Sequence, residues 1–532
     1  MKNQKLYLKQ NVFLEPLINQ WYAWSYLISP ATAAMYIANL HLKIMQSFIA
    51  APQVHVAALK NPSMIGGPFI NYDASKVYAI KDLLEKTKKE QAHMLEFAEA
   101  IKTLDKKLRD EAKGHSLENF YQYVPESLKG YVELTYDLNN NPSIRLIEGL
   151  LYRSKYYDIH SQSIALSIAG EDNRDFIFST PRLEDENYIF LNLPFIHEGI
   201  DNLFKMKTTP QSLHEIAEMI GVDLKDYQRL SYLFTEKTPI KNFKYEGDDV
   251  RIRYLGHACI LLESKDTTIL LDPVISYPHD SGIDRYTFAD LPPSIDYVLI
   301  THNHQDHCML ETLLQLRHKI KNLIVPKSNG GSLADPSLKL LLQNIGFKNV
   351  IELDEMEAIN TEDGLIMGLP FLGEHADLNI KTKLSYLIQL KSKSILGLAD
   401  SNNLENELYS HIHEIVGDVD VLFIGMECDG GPLSWLYGSL LTKPLPRDMD
   451  QSRRFSGSDY EKAIEIIRHF QPKQVYVYAM GQEPWLTYLT SIQYTEQSRP
   501  IVESNKLVAN CHSQGVVAER LFGKKEILLG QK

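Results

Sequence analysis

His302-Asn303-His304-Gln305-Asp306-His307 places four side chains of metal-ligand type in six positions. The run follows residues 295–300, an apolar stretch with β-branched members, so it lies on the loop leaving a buried strand. Residues two apart in an extended chain point the same way, and His302 and His304 therefore face one metal ion. Asp306 and His307 follow after the chain has turned and serve a second ion beside the first. Imidazole and carboxylate together suit zinc or iron better than magnesium or calcium. Two histidines at this spacing often mean nothing. Four ligand-type residues directly after a buried strand are not surface decoration.

The flanking sequence supports this reading. Residues 250–263 (V-R-I-R-Y-L-G-H-A-C-I-L-L-E) and 268–277 (T-I-L-L-D-P-V-I-S-Y) read as two short strands, each closed by a turn or a charge. With the histidine loop they resemble the opening of the metallo-β-lactamase fold, in which a Gly-His segment and a strand ending in Asp-Pro precede the metal loop. The resemblance covers about residues 243–523. It implies an α/β chain with an αββα sandwich, and it makes Asp272 the buried carboxylate that orients the loop. It also implies further ligands at later strand ends. Residues 365–371 lead into Gly373-Glu374-His375-Ala376-Asp377, where the family carries a His and this chain offers Glu374 and His375 side by side. A hairpin of 384–390 and 394–399 ends on Asp400, the place of the family's bridging Asp. The late strand 474–478 runs into Ala479-Met480-Gly481-Gln482, with no histidine where the family has one. His512 is the nearest substitute and reads as an ordinary polar residue. Cys308, beside His307, is a weaker candidate, because the family places a cysteine ligand elsewhere.

The implied ligand set is His302, His304, Asp306, His307, Glu374 and Asp400, three histidines and three carboxylates. Carboxylate raises the charge and hardness of a site, which favours oxidised iron. The run G-E-H-A-D-L-N, the long N-terminal extension and the total length resemble the di-iron β-hydroxylases that act on amino acids tethered to nonribosomal peptide synthetases in antibiotic biosynthesis. That resemblance makes Glu374 the ligand and leaves His375 beside the metal or on the substrate side. It implies a non-haem di-iron monooxygenase in which Glu374 and Asp400 also take part in catalysis. Two irons, O2 and an external reductase are implied, the last because no flavin or nicotinamide motif is visible. A carrier domain is the implied partner. The alternative from another class is a binuclear zinc hydrolase, in which the metals lower the pKa of a bridging water. The Glu374/His375 position and the missing late histidine separate the two.

Composition bounds what remains. The 532 residues predict two or more domains, here 1–242 for docking and dimerisation and 243–532 for catalysis. The net charge of −13 argues against general nucleic-acid binding. Cys259, Cys308, Cys428 and Cys511 form no Cys-x-x-Cys pair and read as reduced thiols of a cytoplasmic protein. Residues 1–10 carry lysines without an apolar core behind them, so no secretion signal is expected. Residues 21–51 are apolar and aromatic but interrupted by Pro30, His41, Lys43 and Gln46. A spanning helix needs about 20 nearly unbroken apolar residues, so buried helices are expected, against another part of the chain or another copy in a homodimer. Residues 75–112 read as a long solvated helix, 177–195 as short strands and 212–234 as helix. Asp137, His160 and His197 have ligand-type side chains without ligand spacing. Beyond the metal loop, the Gly-rich run 425–435 follows strand 419–424 and is expected to line the cleft, with Tyr437, Tyr478 and Trp485 as an apolar wall. Arg453 and Arg454 read equally as a phosphate contact or a solvated pair.

Overall fold

The computed structural model describes residues 5–172, 174–222, 226–240 and 242–530. Residues 1–4 of the N-terminal run and 223–225 of the expected helix 212–234 lie outside the described residues. Two mixed seven-stranded sheets dominate the C-terminal part. In space the first runs Val350–Leu353, Ile320–Pro326, Ile295–Leu299, Thr268–Leu271, Cys259–Glu263, Val250–Gly256, Lys525–Leu529. The second runs Ala358–Asn360, Gly364–Leu369, Ser385–Leu390, Lys393–Gly397, Val421–Gly425, Gln474–Tyr478, Val517–Arg520. Each sheet begins with antiparallel hairpins and continues with parallel strands, such as Ile269 opposite Tyr297 and Leu396 opposite Leu422.

The central strands are covered on both faces, which is why they read as continuous apolar runs instead of alternating ones. Ile260 and Leu262 pack between the sheets, whereas Leu261 packs outward. Val421 and Phe423 likewise point inward, and Leu422 and Ile424 meet Tyr409, Ile464 and Leu507 of the outer helices. Helix, sheet, sheet, helix is the αββα order implied by the sequence. One reading needs correction. Residues 250–263 are not one strand but a hairpin, because Gly256 at φ +111 and His257 at φ 52 turn the chain. Gly256 also lies against the Trp485 ring, where a Cβ would come within 2.8 Å.

The N-terminal part packs helices on a four-stranded antiparallel sheet, ordered Trp21–Tyr22, Val12–Ile18, Gln162–Ile168, Ile189–Leu191. The expected helix 75–112 is two helices, Val77–Glu90 and Ala92–Glu111, broken at Gln91. Neither is solvated all round. Ile80, Leu83, Leu84 and Thr87 are buried on one, and Met94, Phe97, Ile101, Leu104 and Leu108 on the other, each at helical spacing. Residues 177–195 contribute only Ile189–Leu191 as strand, and 212–234 contribute short helices at Leu213–Met219 and Tyr227–Ser231. Residues 21–51 fold into short helices with a π-turn at Ile37–His41. They are buried within the same chain: Trp21, Tyr26, Ala34, Met35 and Phe48 are all nearly inaccessible. Among the described residues no helix is long and apolar enough to cross a membrane.

The two parts share one apolar core, in which Phe13, Leu14 and Leu203 pack with Leu310, Leu313 and Leu316 of the helix that follows the histidine loop. Buried ion pairs pin that contact. Glu15 is wholly inaccessible and meets Arg182 (2.5 Å) and Arg174 (2.6 Å). Arg174 reaches on to Glu311 (2.8 Å), which also accepts from Tyr22 and Tyr277 at 2.9 Å. Burial alone would raise the Glu15 carboxyl, but the two guanidiniums outweigh it and hold its pKa at about 2.

Candidate metal centre

The cleft is built where strands end. Asp272 follows Thr268–Leu271, the histidine loop follows Ile295–Leu299, and Glu374 follows Gly364–Leu369. Asp400 follows Lys393–Gly397, and the turn at Ala479 follows Gln474–Tyr478. Carboxyl ends of strands in such sheets collect ligands because loops leave there and the backbone is free to turn. The turns are tight. His257, Asp272, Glu374, Ala376, Asp377, Ala399 and Ala479 all have φ between +36 and +62 without being glycine. A non-glycine residue there costs about 1–3 kcal/mol and persists only where surrounding contacts over-determine it. Gly425 is needed for closeness: a Cβ would lie 2.4 Å from Ala399 O and 2.9 Å from Asp400 Oδ1.

All six predicted ligand residues converge, and among the described residues three donor groups form. His302, His304 and Glu374 make one; His302, His307 and Asp400 a second; His257, Asp306 and His307 a third. Asp272 orders the loop. It accepts from Thr301 N (2.7 Å) and Thr301 Oγ1 (2.5 Å) and from His307 Nδ1 (2.8 Å). Thr301 Oγ1, having given its proton to Asp272, accepts from His302 Nδ1 at 3.0 Å. Both rings thereby carry their proton on Nδ1 and turn Nε2 into the cleft. His302 Nε2 stands 3.2 Å from His304 Nδ1, and His304 Nδ1 3.3 Å from Glu374 Oε1. His307 Nε2 stands 3.1 Å from Asp400 Oδ2. Such pairs of lone pairs, all buried, are reconciled only by a proton or a cation between them.

The electrostatics agree. Burial, then the neighbouring imidazoles, push His302 well below the usual histidine range. Burial brings His304 to about 4. Neutral imidazole is the metal-binding form. For His307 burial acts downward, but Asp400 and Asp272 outweigh it and favour the imidazolium. Burial followed by Asp400 and Asp306 raises the Glu374 carboxyl well above the usual range. Cation-free, the cleft therefore takes up protons where a metal would sit. The residues fit a pair of metal ions.

His375 belongs to none of these groups. Its ring stacks on His304, centroids 4.6 Å apart, and both its nitrogens are buried without a partner. His512 lies on helix Arg499–Ser513 and bonds Ala518 O at 2.8 Å. Cys308 is buried, its thiol pushed up to about 12, and joins no donor group among the described residues. Tyr437 meets His304 Nε2 at 3.0 Å. Tyr478 accepts from Ala399 N and so braces the turn before Asp400, and Trp485 sits behind Gly256. Arg453 bonds Ala376 O and Arg454 bonds the Asp429 and Gly430 carbonyls, so both hold the loops of the cleft together. The loop 425–435 does line the cleft, through Glu427, Gly430, Gly431 and Trp435. Glu427 accepts from the Asp429 and Gly430 amides, and burial lifts its carboxyl to about 7. Asp137 binds its own turn, His160 is exposed and His197 caps helix Glu198–Lys205, none of them near the cleft.

Sequence reasoning missed His257. Its Nε2 stands 3.3 Å from Asp306 Oδ2, and its Nδ1 accepts from Gly481 N at 3.2 Å. The strand end that has no histidine of its own thus receives one from the other sheet. The signal was the Gly-His pair itself, read only as a mark of the fold.

Comparison with known proteins agrees with this geometry. Residues 7–239 match the diiron non-heme β-hydroxylase N-terminal domain, and residues 251–438 the β-lactamase superfamily domain. The 4-amino-L-phenylalanyl-[CmlP-peptidyl-carrier-protein] 3-hydroxylase of Streptomyces venezuelae is 38% identical over 531 residues, 98% of this chain and 99% of that protein. The chain belongs to the diiron non-heme β-hydroxylases. The crystal structure of CmlA, a diiron β-hydroxylase from Streptomyces venezuelae, superposes with a TM-score of 0.93 at 38% identity, covering 99% of this chain and 100% of that one. A single-residue mutant of the same enzyme gives 0.91 at 37% identity, over 98% and 100%. The family is a di-iron family, so two irons are the metals the cleft is to be judged against.

Proposed function

We propose that this chain hydroxylates the β-carbon of an amino acid held as a thioester on a carrier domain of a nonribosomal peptide synthetase. The observation that carries the reading is the carboxylate-rich donor set, with Glu374 directed at His304 and Asp400 at His307. The near full-length likeness to a carrier-protein 3-hydroxylase supports the substrate class. His302, His304 and Glu374 would hold one iron, and Asp306, His307 and Asp400 the other. Bound there, the irons would supply O2 binding and reduction.

The side chains have defined tasks. Asp272 and Thr301 fix the rings of His302 and His307 with Nε2 inward, Tyr437 holds His304, and His257 holds Asp306. Ligand placement is thus set before substrate arrives. His302 and His307 are inaccessible and His304, Glu374 and Asp400 nearly so, which keeps bulk water from the reacting carbon. The overall change is R–CH2–R′ + O2 + 2 e⁻ + 2 H⁺ → R–CH(OH)–R′ + H2O. The two electrons come from an external reductase, since no flavin or nicotinamide motif is visible in the sequence. We place catalysis in residues 243–532 and carrier docking in 1–242. A homodimer remains part of the proposal, although residues 21–51 are spent inside the chain and do not argue for it.

Metal analysis of protein purified without oxygen tests the reading, followed by mass spectrometry of an aminoacyl carrier incubated with O2 and reductant. Two irons per chain and one added oxygen atom are expected. Two zincs, turnover of a simple ester and indifference to O2 would assign the cleft to a hydrolase instead.

A further inference from the structure

The metal cleft is lined by the carboxylates of Asp306, Glu374, Asp400, Glu427 and Asp429 and by no lysine or arginine. Asp306, Glu374 and Asp400 are the predicted ligands, each facing an imidazole. Asp429 is exposed, with the Arg499 guanidinium 3.8 Å away. Glu427 is left over. Its Oε1 accepts from the Asp429 and Gly430 amides at 3.0 and 2.8 Å, which fixes the carboxyl on its loop. Its Oε2 is buried and has no hydrogen-bond partner. A buried carboxylate oxygen without a donor is costly unless something positive comes to it.

We infer that Glu427 binds the α-ammonium of the aminoacyl group and thereby selects aminoacyl carriers against carriers of plain acyl chains. The inference rests on the carrier-bound amino acid proposed above. In an aminoacyl thioester the β-carbon is bonded to the carbon that carries the ammonium, so a β-carbon held at the metals brings the ammonium into the same cleft. There it lies beside cations, and the carboxylates that hold those cations are spent on them. It needs an anion of its own, close to the donor groups and part of none. Glu427 belongs to none of the three groups, yet it is near enough for its charge to act on Glu374 and for that of Asp400 to act on it. A bond from ammonium to carboxylate is charge-assisted and among the strong ones, and it replaces hydration that the ammonium loses on entry. Gln305 Oε1 also lines the cleft without a partner, but it is neutral and cannot balance the charge. An acyl group without the ammonium would leave Glu427 buried and unpaired, and a site with unpaired buried polar groups rejects the analogue that lacks their partner.

Binding can be read without turnover, on full-length iron-loaded protein kept free of O2. Three N-acetylcysteamine thioesters share one side chain and differ only at the α-carbon: phenylalanyl carries an ammonium there, 3-phenylpropionyl a hydrogen and benzylmalonyl a carboxylate. Wild type should bind the first at least tenfold tighter than the second. Glu427→Gln should cut that preference to about twofold or less while keeping its iron and its melting temperature. Glu427→Lys should bind the benzylmalonyl thioester best of the three, a gain that misfolding cannot produce. A tenfold preference that survives Glu427→Gln would overturn the anchor. So would loss of iron from that variant, because Glu427 would then be a ligand. Either result leaves the proposed reaction standing if wild type still hydroxylates a carrier-bound amino acid. A preference that depends on Glu427 in a protein that hydroxylates none would instead sink the reaction and leave the anchor in place.

Discussion

Two clusters of buried charge lie a few residues apart along the chain and solve the same problem differently. Between the two parts of the molecule, Glu15 and Glu311 are wholly inaccessible, and each meets guanidinium and, for Glu311, tyrosine hydroxyls. Every carboxylate oxygen there has its donor, and Arg174 Nε is left without a partner. In the cleft, His302, His304, His307, Glu374 and Asp400 are almost as buried, and their nitrogens and oxygens meet only one another, through protons they themselves hold. No arginine or lysine enters either imidazole–carboxylate pair. A cluster whose carboxylates meet fixed guanidiniums holds a structure together, whereas one whose members meet only one another's protons at comparable burial is a receptor for something positive. The histidine loop is the hinge of the comparison, since Glu311 belongs to the helix that begins three residues after His307.

The sharpest way to break the comparison is to remove a shared donor of the cleft. His302 belongs to two of the three donor groups, so His302→Ala should empty the site and reduce hydroxylation to background, read by metal analysis and product mass. Freed of facing lone pairs, the metal-free variant should melt no lower than metal-free wild type beyond the loss of packing. A large loss of stability in the absence of metal would mean that the cleft is internally satisfied after all.

The opposite outcome is expected at the ion cluster. Glu15→Gln leaves Arg174 and Arg182 buried beside a neutral group, and breaking a buried pair in this way costs about 3–5 kcal/mol. Denaturant unfolding should show that loss with or without metal. Any loss of iron should follow only from loosening of the helix Leu310–Leu316. Equal stability of variant and wild type would demote the cluster from clamp to ornament.

Much of this contrast was legible beforehand, for physical reasons. The histidine loop is local: four ligand-type side chains in six residues, fixed by the period of a strand and the turn after it. Asp400 and Asp272 were placed by the resemblance, at the ends of strands that the sequence itself marks. Glu374 could be placed by resemblance, but that its carboxylate and not the His375 ring is directed at His304 Nδ1 depends on left-handed backbone at Glu374, Ala376 and Asp377 that no periodicity announces. The ion cluster was invisible because its members are far apart, Glu15 to Glu311, and arginine and glutamate are ordinary surface residues in any count. The long apolar run 21–51 announced burial but not its partner. The break at Gln91 hid inside an unbroken helical pattern, because Gln is a good helix former.

Another buried carboxylate tests the rule from another side. Glu148 has neither guanidinium nor facing ligand, only the Ser337 amide at 3.0 Å, and burial lifts its pKa to about 7. It copes by holding its proton up to about neutral pH. A carboxyl whose folded pKa lies above its unfolded value binds more protons folded than unfolded, so stability falls as pH rises between the two. The window here runs from about 4.5 to about 7, with an effect of about 3 kcal/mol at most by linkage. Glu148→Gln keeps an acceptor for Ser337 and should flatten the decline of melting temperature between pH 5 and pH 8. Parallel decline in variant and wild type would show that Glu148 is ionised and satisfied in the fold.

The smallest effect concerns the histidine that the sequence hid. In the third donor group His257 stands with Asp306 and His307, but its tautomer sets it apart. Gly481 N points at Nδ1, so Nδ1 carries the lone pair and a neutral ring carries its proton on Nε2, which lies 3.3 Å from Asp306 Oδ2 without hydrogen-bond alignment. A metal on Nε2 would require that proton to move to Nδ1, against an amide N–H. We propose that His257 orients Asp306 instead of binding metal. Removing such a partner weakens metal affinity by about 10–100-fold, or ~1.4–2.7 kcal/mol. His257→Ala should retain both irons at saturating metal and lose one of them first under a competing chelator. His257→Gln, whose side-chain amide can still donate toward Asp306, should recover part of the difference. If His257→Ala cannot be loaded with a second iron at any concentration, His257 is a ligand, and the tautomer argument fails with it.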